Sequence, residues 1–302
     1  MSVKFNEAQD FASSIRTKQG SVGQPDAPDI DPHFVEDPNA SKVVEFAFKR
    51  RKNCLLVGPT GCGKSSLVMQ IASRLNDRVE IFSCTGETTT EELIGKPWIK
   101  EKNGQRILEV IHGAALRAYE TGKALLIEEV DMGLADILAS LHRLMESQSS
   151  FYTANIGEQE IIKKHKDFFM IATANTIGTG EDTFMYSGTK PLNQAFMNRF
   201  SLTVQMDYLP MDKECKVLVA KTGIDSQLAR QLVETAVEVR NARTTGSDRV
   251  CSTVSTRDLL EWADVIVGLK MTPLEAAYYA FMNRASEKDR DIIKNFVEDK
   301  CS

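Results

Sequence analysis

The alternation of hydrophobic and polar positions divides the chain into two parts with different periods. In the first part, short apolar runs are separated by stretches in which apolar residues recur every three or four positions, which predicts strands alternating with helices. The predicted strands are residues 53–57, 79–84, 124–127, 168–173 and 201–206. From Asp207 onward only the helical period is found, most clearly at residues 226–243, 256–267 and 273–284. The pattern therefore predicts an α/β fold, with a five-stranded parallel sheet covered by helices on both faces and followed by an all-α part.

Two segments of the first part are predicted to form β-hairpins in addition to the sheet. Residues 98–110 alternate around Asn103-Gly104, a dipeptide that favours a tight turn between two strands. Residues 151–162 form a similar segment with Asn155-Ile-Gly157 at its tip. Helices are predicted at residues 37–48, 66–75, 113–119 and 134–145. The first hairpin lies between the second strand and the next helix, so it is an insertion relative to a plain doubly wound α/β unit.

Composition along the chain predicts three regions. Residues 1–30 are polar and lead into residues 24–32, which contain three prolines, so they are predicted to form a flexible N-terminal arm. Residues 31–208 hold all the predicted strands and form the first domain. Residues 209–302 hold only predicted helices and form the second. The boundary between these two domains is placed near residues 208–212, in the sequence Tyr208-Leu-Pro-Met-Asp212.

Composition and charge are those of an ordinary soluble globular protein. The chain has 302 residues, of which 42% are hydrophobic and 26% charged, and its net charge is −5. The apolar runs are too short for a transmembrane helix, and the N-terminus lacks the apolar core of a signal peptide. The six cysteines contain no C-x-x-C pair, which favours reduced thiols in a cytoplasmic protein over a disulfide framework or a zinc site. The acidic balance argues against a general polyanion-binding role.

The strongest chemical signal is the segment Gly-Pro-Thr-Gly-Cys-Gly-Lys-Ser at residues 58–65, which matches the phosphate-loop pattern G-x-x-x-x-G-K-[ST]. An apolar strand precedes it and a segment with helical spacing follows it, an arrangement that directs a helix N-terminus at a phosphate. Lys64 is expected to reach the terminal phosphates of ATP, and the hydroxyl of Ser65 to hold Mg²⁺. The predicted nucleotide-binding residues are Gly58, Pro59, Thr60, Gly61, Cys62, Gly63, Lys64, Ser65 and Ser66.

Two acids directly follow the third predicted strand. Four apolar residues at 124–127 are followed by Glu128 and Glu129, which is the form of a Walker B element. Because this strand is expected to end beside the phosphate loop, Glu128 is predicted to steady Mg²⁺, and Glu129 to orient the attacking water as the catalytic base. The alternative is that two adjacent acids at a strand end are simply solvated.

Longer stretches outside these motifs point to a family. They are Phe46-Ala-Phe-Lys-Arg-Arg51, Ala172-Thr-Ala-Asn-Thr-Ile-Gly178, Tyr186-Ser-Gly-Thr189, Leu192-Asn-Gln-Ala-Phe-Met-Asn-Arg-Phe200 and Tyr208-Leu-Pro-Met-Asp-Lys-Glu214. With these stretches and both predicted hairpins, the chain resembles the MoxR clade of AAA+ ATPases, and within it the CobS-like ATPase subunits of aerobic cobaltochelatase. The resemblance starts near residues 31–34 and extends almost to the C-terminus. It implies an AAA+ P-loop NTPase core with two hairpin insertions and a small α-helical lid domain.

The resemblance also implies catalytic roles for three further residues. Asn175, at the end of the fourth predicted strand, resembles the sensor-1 residue that helps to place the attacking water. Arg199 resembles the arginine finger, which enters the active site of the neighbouring subunit and offsets charge on the transferred phosphoryl group. Arg257 resembles the sensor-2 arginine that links the lid to the phosphates. The alternative for Arg199 is a surface arginine at a helix C-terminus.

The chain departs from the family pattern at two positions. The family usually has Asp before the catalytic base, and Glu128 stands in its place, so the carboxylate extends ~1.5 Å further. Because Mg²⁺ requires strict geometry but keeps several waters, Glu128 is compatible with normal turnover or with slowed turnover. The family usually has Pro before the sensor-2 arginine, and Thr256 stands there instead.

These features predict an ATP-hydrolysing AAA+ ATPase that assembles into a hexameric ring and remodels a protein partner, with ATP and Mg²⁺ as its cofactors. The resemblance implies a partner with a von Willebrand A domain, as in the companion subunit of the chelatase. Two alternatives stay open. One is a nucleic-acid-directed ATPase, supported only by Lys163-Lys-His-Lys166 beside the second hairpin. The other is a scaffold that assembles on ATP and hydrolyses it slowly, which Glu128 favours.

Overall fold

The computed structural model describes residues 30–102, 104–146, 150–155, 158–176, 192–244 and 250–301, so residues 1–29 of the predicted N-terminal arm lie outside it. The strands are β1 (Cys54–Val57), β2 (Val79–Ser83), β3 (Gly95–Lys102), β4 (Gln105–His112), β5 (Ala124–Glu128), β6 (Ser150–Asn155), β7 (Glu158–Lys163), β8 (Phe169–Ala174) and β9 (Leu202–Gln205). The central sheet is parallel, with the order β2-β5-β8-β1-β9. The five predicted sheet strands are therefore confirmed, with ends that differ by single residues.

Both faces of the sheet are buried, because alternate residues of its inner strands point into two different apolar clusters. In β1, Leu55 and Val57 lie in one cluster, and Cys54 and Leu56 lie in the other. The same alternation holds in β5 and β8. A strand buried on both faces needs apolar residues at every position, which is why these strands are continuous apolar runs in the sequence. Since the strands are parallel neighbours, the carboxyl ends of β1, β5 and β8 lie along the same edge of the sheet.

Two antiparallel hairpins accompany the sheet, as the sequence predicts. β3 pairs with β4 and β6 pairs with β7, each in a two-stranded sheet of its own. The first predicted tip agrees with the register, in which Lys102 lies opposite Gln105. Asn103 at that tip, and residues 156–157 at the second tip, lie outside the described residues. Both hairpins are thus confirmed as insertions into the α/β core.

The helices of the first part are α1 (Pro38–Arg50), α2 (Lys64–Arg74), α3 (Thr90–Ile94), α4 (Ala114–Thr121), α5 (Ala135–Met145) and α6 (Gln194–Met197). Helix α1 begins where it is predicted because the Asp37 carboxylate caps it, accepting the N–H groups of Asn39 and Ala40. Helix α3 was not predicted, because it is too short to show a helical period. Its signal is the capping box formed by Thr89 and Glu92.

The second part of the chain is the helical part. Its helices are α7 (Met211–Thr222), α8 (Ser226–Thr244), α9 (Thr256–Leu269), α10 (Pro273–Ala280) and α11 (Glu287–Lys300). Their apolar sides meet around the buried Trp262, whose indole N–H donates to the carbonyl oxygen of Pro273 at 2.7 Å. The prediction of one helix over residues 273–284 is wrong at its C-terminal end. Helix α10 ends at Ala280, where Phe281 leaves helical backbone angles and packs its ring edge-on against Trp262.

The architecture is therefore the predicted one, an α/β core with a parallel sheet followed by an all-α part. Within the described ranges, no helix combines the length and the apolar character of a membrane span. Among the described residues of the helical part, apolar packing and a buried pair of charges hold the helices together.

This buried pair joins α7 to α8. The carboxylate of Glu214 is fully buried and accepts two hydrogen bonds, each 2.9 Å long, from the guanidinium of Arg240. Arg240 also donates to the carbonyl oxygen of Val254, and the hydroxyl of Thr256 donates to Glu214. Desolvation makes a buried ion pair costly unless its hydrogen bonds are nearly complete, and here each partner has several.

Arg240→Met is expected to lower the free energy of unfolding by about 3–5 kcal/mol, because it leaves the Glu214 carboxylate buried without its charge partner. The measurement is denaturation by urea followed by circular dichroism. The matched control is Arg230→Met, since Arg230 lies on the same helix but pairs with Glu234 at the exposed surface. The control should unfold close to the midpoint of the unchanged protein. Equal losses in the two variants would contradict a specific role for the buried pair.

Candidate nucleotide-binding site

The loop between β1 and α2 has a backbone shape suited to binding an anion. Gly61 and Gly63 adopt positive φ angles of 74° and 94°, which residues with a side chain rarely adopt. A Cβ atom at Gly61 would also lie 2.5 Å from the Cβ atom of Ser255, so the loop packs too closely against the start of α9 to admit a larger residue. Helix α2 begins at Lys64 without a side-chain cap, and its first N–H groups are therefore available to a ligand.

The Lys64 side chain links this loop to the end of β8. Its ammonium group donates to the carbonyl oxygens of Gly58 and Pro59 at 2.7 and 3.0 Å, and to Oδ1 of Asn175 at 3.0 Å. Burial lowers the pKa of Lys64, and nearby negative charge opposes that shift. The structure therefore brings together Lys64 and Asn175, two predicted site residues that lie 111 positions apart in the sequence.

The two Walker B acids differ in their surroundings. Glu128 is half-buried, and its Oε2 accepts a hydrogen bond from the hydroxyl of Ser83, on the edge strand β2, at 2.6 Å. Glu129 has a positive φ angle of 52°, and its N–H donates to Oγ1 of Thr173 on β8. A non-glycine residue in this region costs about 1–3 kcal/mol and is retained mostly where local geometry matters to function. The longer side chain of Glu128 thus reaches Ser83, while the backbone of Glu129 is held against β8.

Asp131 is a third acid of this segment, and the sequence analysis missed it. It is fully buried, and its Oδ2 accepts the N–H groups of Asn175 and Thr176 at 2.9 and 3.0 Å. Burial raises the pKa of the Asp131 carboxyl, while those two N–H groups oppose the shift. No sequence pattern separates Asp131 from Glu128 and Glu129, since all three are acids near the end of a strand.

Arg257 lies in the first turn of α9, which packs against the phosphate loop at Gly61. The preceding residue, Thr256, donates its hydroxyl to Oε1 of Glu214 at 2.5 Å. Proline has no hydrogen-bond donor, so the departure from the family pattern at this position gives the buried carboxylate an additional hydrogen bond. This contact explains Thr256 physically, whereas the sensor-2 role of Arg257 stays a prediction.

Arg199 lies near the amino end of β1, whereas the phosphate loop follows the carboxyl end of this strand. Its carbonyl oxygen accepts a hydrogen bond from the side chain of Asn53, which directly precedes β1, whereas the loop follows the last residue of that strand. A strand of 4 residues spans about 13 Å. The Arg199 guanidinium donates to Nε2 of His142 at 2.7 Å and lies 4.0 Å from Glu146. The structure therefore separates Arg199 from the other predicted site residues of the same chain.

A cavity of about 400 Å³ lies beside the loop, between the α/β core and the helical part. Arg257 and the loop line two of its sides, and its volume is typical of a small-molecule site. Residues 31–37 form a further wall that the sequence did not indicate. Asp31 anchors this wall, because it exchanges hydrogen bonds with Gln70 on α2 and pairs with Lys221 on α7.

Tyr208 connects the phosphate loop to the buried ion pair. Its hydroxyl donates to the carbonyl oxygen of Thr60 at 2.9 Å. The guanidinium carbon of Arg240 lies 3.8 Å from the centre of its ring, which is the geometry of a cation–π contact. Tyr208 belongs to one of the stretches that carry the family resemblance, but no pattern in the sequence indicates these contacts. Side chains therefore join the loop to the helical part.

The side-chain oxygen atoms that follow the carboxyl ends of β1 and β5 are of the kind that a hard divalent cation binds. Ser65 supplies a hydroxyl in the first turn of α2, and Glu128 and Glu129 supply carboxylates at the end of β5. Oxygen ligands of this kind suit Mg²⁺, which also takes ligands from nucleotide phosphates and from water. In the part of the chain that the structure describes, no three His, Cys, Asp or Glu residues cluster into a metal site of their own. The residues thus fit an ion that binds together with a nucleotide.

Two protein-family models match the chain and together account for most of it. Residues 53–200 match an AAA domain of the dynein-related subfamily, and residues 214–298 match the C-terminal region of CbbQ, NirQ and NorQ. The chain therefore carries an AAA domain followed by a CbbQ/NirQ/NorQ-type C-terminal region, and its fold is that of an AAA+ core followed by an all-α lid. It is 29% identical over 301 residues to the aerobic cobaltochelatase subunit CobS of Sinorhizobium sp., covering 96% of this chain and 88% of CobS. The resemblance to MoxR-type and CobS-like ATPases is confirmed.

More distant proteins are similar to the chain in sequence or in fold. Midasin of Dictyostelium discoideum is 27% identical over 281 residues, which are 90% of this chain but only 4% of midasin. Among solved structures, a variant of RuvB from Thermotoga maritima is similar with a TM-score of 0.50 at 14% identity, covering 88% of this chain and 70% of that chain. An identity this low shows the fold alone.

Proposed function

We propose that this protein hydrolyses ATP, assembles into a ring and remodels a protein partner. The observation that carries the proposal is the contact of Lys64 with Asn175, beside a cavity that Arg257 lines. This contact joins the phosphate loop to the strand end at which Asn175 is proposed to place the attacking water. Ser65 and Glu128 would hold Mg²⁺, which neutralises charge on the phosphates when it is bound.

Each remaining residue has its own task in the proposed reaction. Lys64 and the N–H groups of residues 58–66 bind the phosphates of ATP. Glu129 orients the attacking water and accepts its proton, and Asn175 helps to place that water. Arg257 contacts the phosphates from the helical part, so binding of ATP brings the lid and the core together.

The position of Arg199 supports assembly into a ring. Arg199 lies near the amino end of β1, away from its own phosphate loop, and 44% of its side-chain surface is exposed. An isolated subunit therefore lacks one group of its own site, and that group faces outward, where a neighbour can use it. Subunits joined in this head-to-tail manner form a closed ring when the rotation between them closes. The similar protein CobS is a subunit of aerobic cobaltochelatase, which supports a complex with a protein partner. The proposed ring is a hexamer, and the proposed partner carries a von Willebrand A domain.

Mixing two inactive variants tests whether Arg199 acts on the neighbouring subunit. Arg199→Ala removes the finger and should lower ATP turnover on the order of 10³-fold. Glu129→Gln removes the base and should lower it by at least ~10²-fold. In mixed rings, some interfaces pair the intact loop and base of one variant with the intact finger of the other. ATP turnover measured on the mixture should therefore recover.

The matched control is a mixture of Glu129→Gln with Lys64→Ala subunits. Both of these variants are defective on the same side of the interface, so their mixture should stay inactive. Native mass spectrometry establishes that mixed rings have formed in both samples. Mixed rings of Arg199→Ala and Glu129→Gln that recover no activity would place Arg199 outside the neighbour's site.

Turnover assays also separate the proposal from the two alternatives. For a ring-forming ATPase, turnover per subunit rises with protein concentration and responds to the protein partner. For a nucleic-acid-directed ATPase, single-stranded DNA or RNA raises turnover. For a scaffold, ATP drives assembly with little hydrolysis, and the hydrogen bond that holds Glu128 to Ser83 favours this second candidate. A protein that neither assembles nor hydrolyses ATP would overturn the proposal.

The cysteines support the proposed reducing, cytoplasm-like setting. All six are free, and Cys54 and Cys84 are buried in or beside the sheet strands. Burial raises the pKa of both thiols to about 12. They are thus unreactive packing residues at neutral pH.

A further inference from the structure

Asp131 is a fully buried carboxylate to which the roles above assign no task. It lies in the short 3-10 turn Val130–Met132, directly after the Walker B acids. Its Oδ2 accepts the N–H groups of Asn175 and Thr176, while its Oδ1 has no hydrogen-bond partner among the described residues. A buried charge is costly unless it is well hydrogen-bonded, so the two bonds that Asp131 makes must matter to the fold or to the site.

These two N–H groups lie just beyond the end of β8. The strand ends at Ala174, whose carbonyl oxygen accepts the N–H of Gly58 at the start of the phosphate loop. Asn175 and Thr176 follow, beyond the last paired residues of the sheet. Hydrogen bonds to an ionised acceptor are roughly twice as strong as neutral ones. Asp131 therefore fixes the backbone at the point where the sheet no longer does.

A second contact ties the same two chain segments together. The N–H of Glu129 donates to Oγ1 of Thr173, and the carboxylate of Asp131 accepts from Asn175. Each segment contributes residues two positions apart to these contacts, so the contacts join the ends of β5 and β8 at two successive points. Oδ1 of Asn175 also accepts a hydrogen bond from Lys64. The hydrogen bond from the Asn175 backbone to Asp131 therefore sets the position of the Asn175 side chain relative to Glu129 and the loop.

We propose that Asp131 is a positioning residue for ATP hydrolysis, which holds Asn175 in place relative to Glu129 without touching the nucleotide. The inference rests on the proposed function, because that function gives Asn175 and Glu129 their tasks. A purely structural Asp131 leads to a different expectation. Its loss would then lower stability, but the protein that stays folded would hydrolyse ATP at the usual rate.

The kinetic test is a double-mutant cycle between Asp131 and Asn175. Asp131→Ala should lower kcat by on the order of 10²-fold, the usual penalty for misplacing a catalytic group by ~1 Å. KM for ATP should change by less than about threefold, because the residue acts on the chemical step and not on binding. In an Asn175→Ala background, the further loss from Asp131→Ala should be less than about twofold, since there is no amide left to position. Effects that multiply in the double variant would overturn the inference.

A milder variant covers the case in which Asp131→Ala fails to fold. Asp131→Asn keeps an oxygen that can accept both N–H groups but removes the charge, so kcat should fall less than with Ala. The same cycle with Asn175 then applies. Asp225→Ala is the matched control, because Asp225 also accepts two backbone N–H groups, those of Gln227 and Leu228, at the start of α8 far from Asn175. The control should keep the kcat of the unchanged protein.

Amide hydrogen exchange gives a readout that does not depend on turnover. In Asp131→Asn, the amides of Asn175 and Thr176 should exchange faster than in the unchanged protein, while those of β1 should not. Unaltered exchange at both amides would show that the two bonds do not hold this segment. If the wild-type protein assembles but does not hydrolyse ATP, the proposed hydrolysis is wrong. If the wild-type protein is active but Asp131→Ala and Asn175→Ala lower kcat independently, only the proposed role of Asp131 is wrong.

Discussion

Replacing Glu129 with glutamine is expected to lower ATP turnover by at least ~10²-fold while ATP stays bound. The substitution keeps the shape of the side chain, and the backbone bond from Glu129 to Thr173 does not involve the carboxylate. The amide, however, cannot accept a proton from the attacking water. Steady-state phosphate release measures turnover, and isothermal titration calorimetry measures the affinity for ATP.

Two variants of the neighbouring acid serve as controls. Glu128→Gln should weaken Mg²⁺ binding, since Glu128 is the proposed metal ligand, so half-maximal turnover should require a higher Mg²⁺ concentration. Glu128→Asp should keep or raise turnover, although it withdraws the carboxylate from the hydroxyl of Ser83 by one C–C bond. If Glu128→Gln stops turnover and Glu129→Gln does not, the roles of the two acids are reversed. A large loss in Glu128→Asp would mean that the site depends on the longer acid and on its contact with Ser83.

Lys64→Ala is expected to abolish measurable ATP binding. The ammonium group is the only cation within the loop sequence 58–66, and in the proposed site it supplies the charge that faces the terminal phosphates. The same change removes the hydrogen bonds to Gly58, Pro59 and Asn175, so the loop also loses its link to β8. Calorimetric titration with ATP is the measurement.

The control for Lys64→Ala must remove one positive charge without touching the loop. Lys52→Ala does so, since Lys52 is exposed and precedes β1. Its affinity for ATP should equal that of the unchanged protein. Thermal unfolding of both variants shows whether loss of binding reflects loss of structure. ATP affinity that is unchanged in a folded Lys64→Ala protein would refute the phosphate-loop assignment.

The sheet and the phosphate loop could be predicted from the sequence because both depend on local patterns. Strands such as β1 are buried on both faces, so they leave continuous apolar runs. The loop has glycines and a lysine at fixed spacing, because the backbone must turn tightly around an anion. The two hairpins were predictable for a similar reason, since alternation and turn residues specify them.

The contacts that assemble the site could not be predicted, because they join residues that are distant in the sequence. Asp131 and Asn175 are 44 positions apart, and Tyr208 and Thr60 are 148 positions apart. Nothing local distinguishes Asp131, which is buried, from the half-buried Glu128 nearby. Only the order of the strands, which places the end of β5 beside the end of β8, shows which acid meets the backbone.

Some elements were missed because their local signal is weak. Helix α11 carries many charges, and its buried positions are sparse, with Ile293 and Val297 as its buried apolar residues. Its clearest signal is the cap, in which the hydroxyl of Ser286 accepts the N–H of Asp289. Residues 31–37 form a wall of the cavity without regular secondary structure, so no periodic pattern could indicate them.

The distance between Arg199 and its own phosphate loop has a consequence for how activity grows during assembly. In the proposed assembly, Arg199 of one subunit completes the site of the next, so an open row of subunits has one complete site fewer than it has subunits, because one end subunit has no donor beside it. A lone subunit therefore has none, and each addition brings one. Closure of the row into a circle completes the last site and removes both free ends in one event. Growth then stops at the assembly size at which activity per subunit is highest.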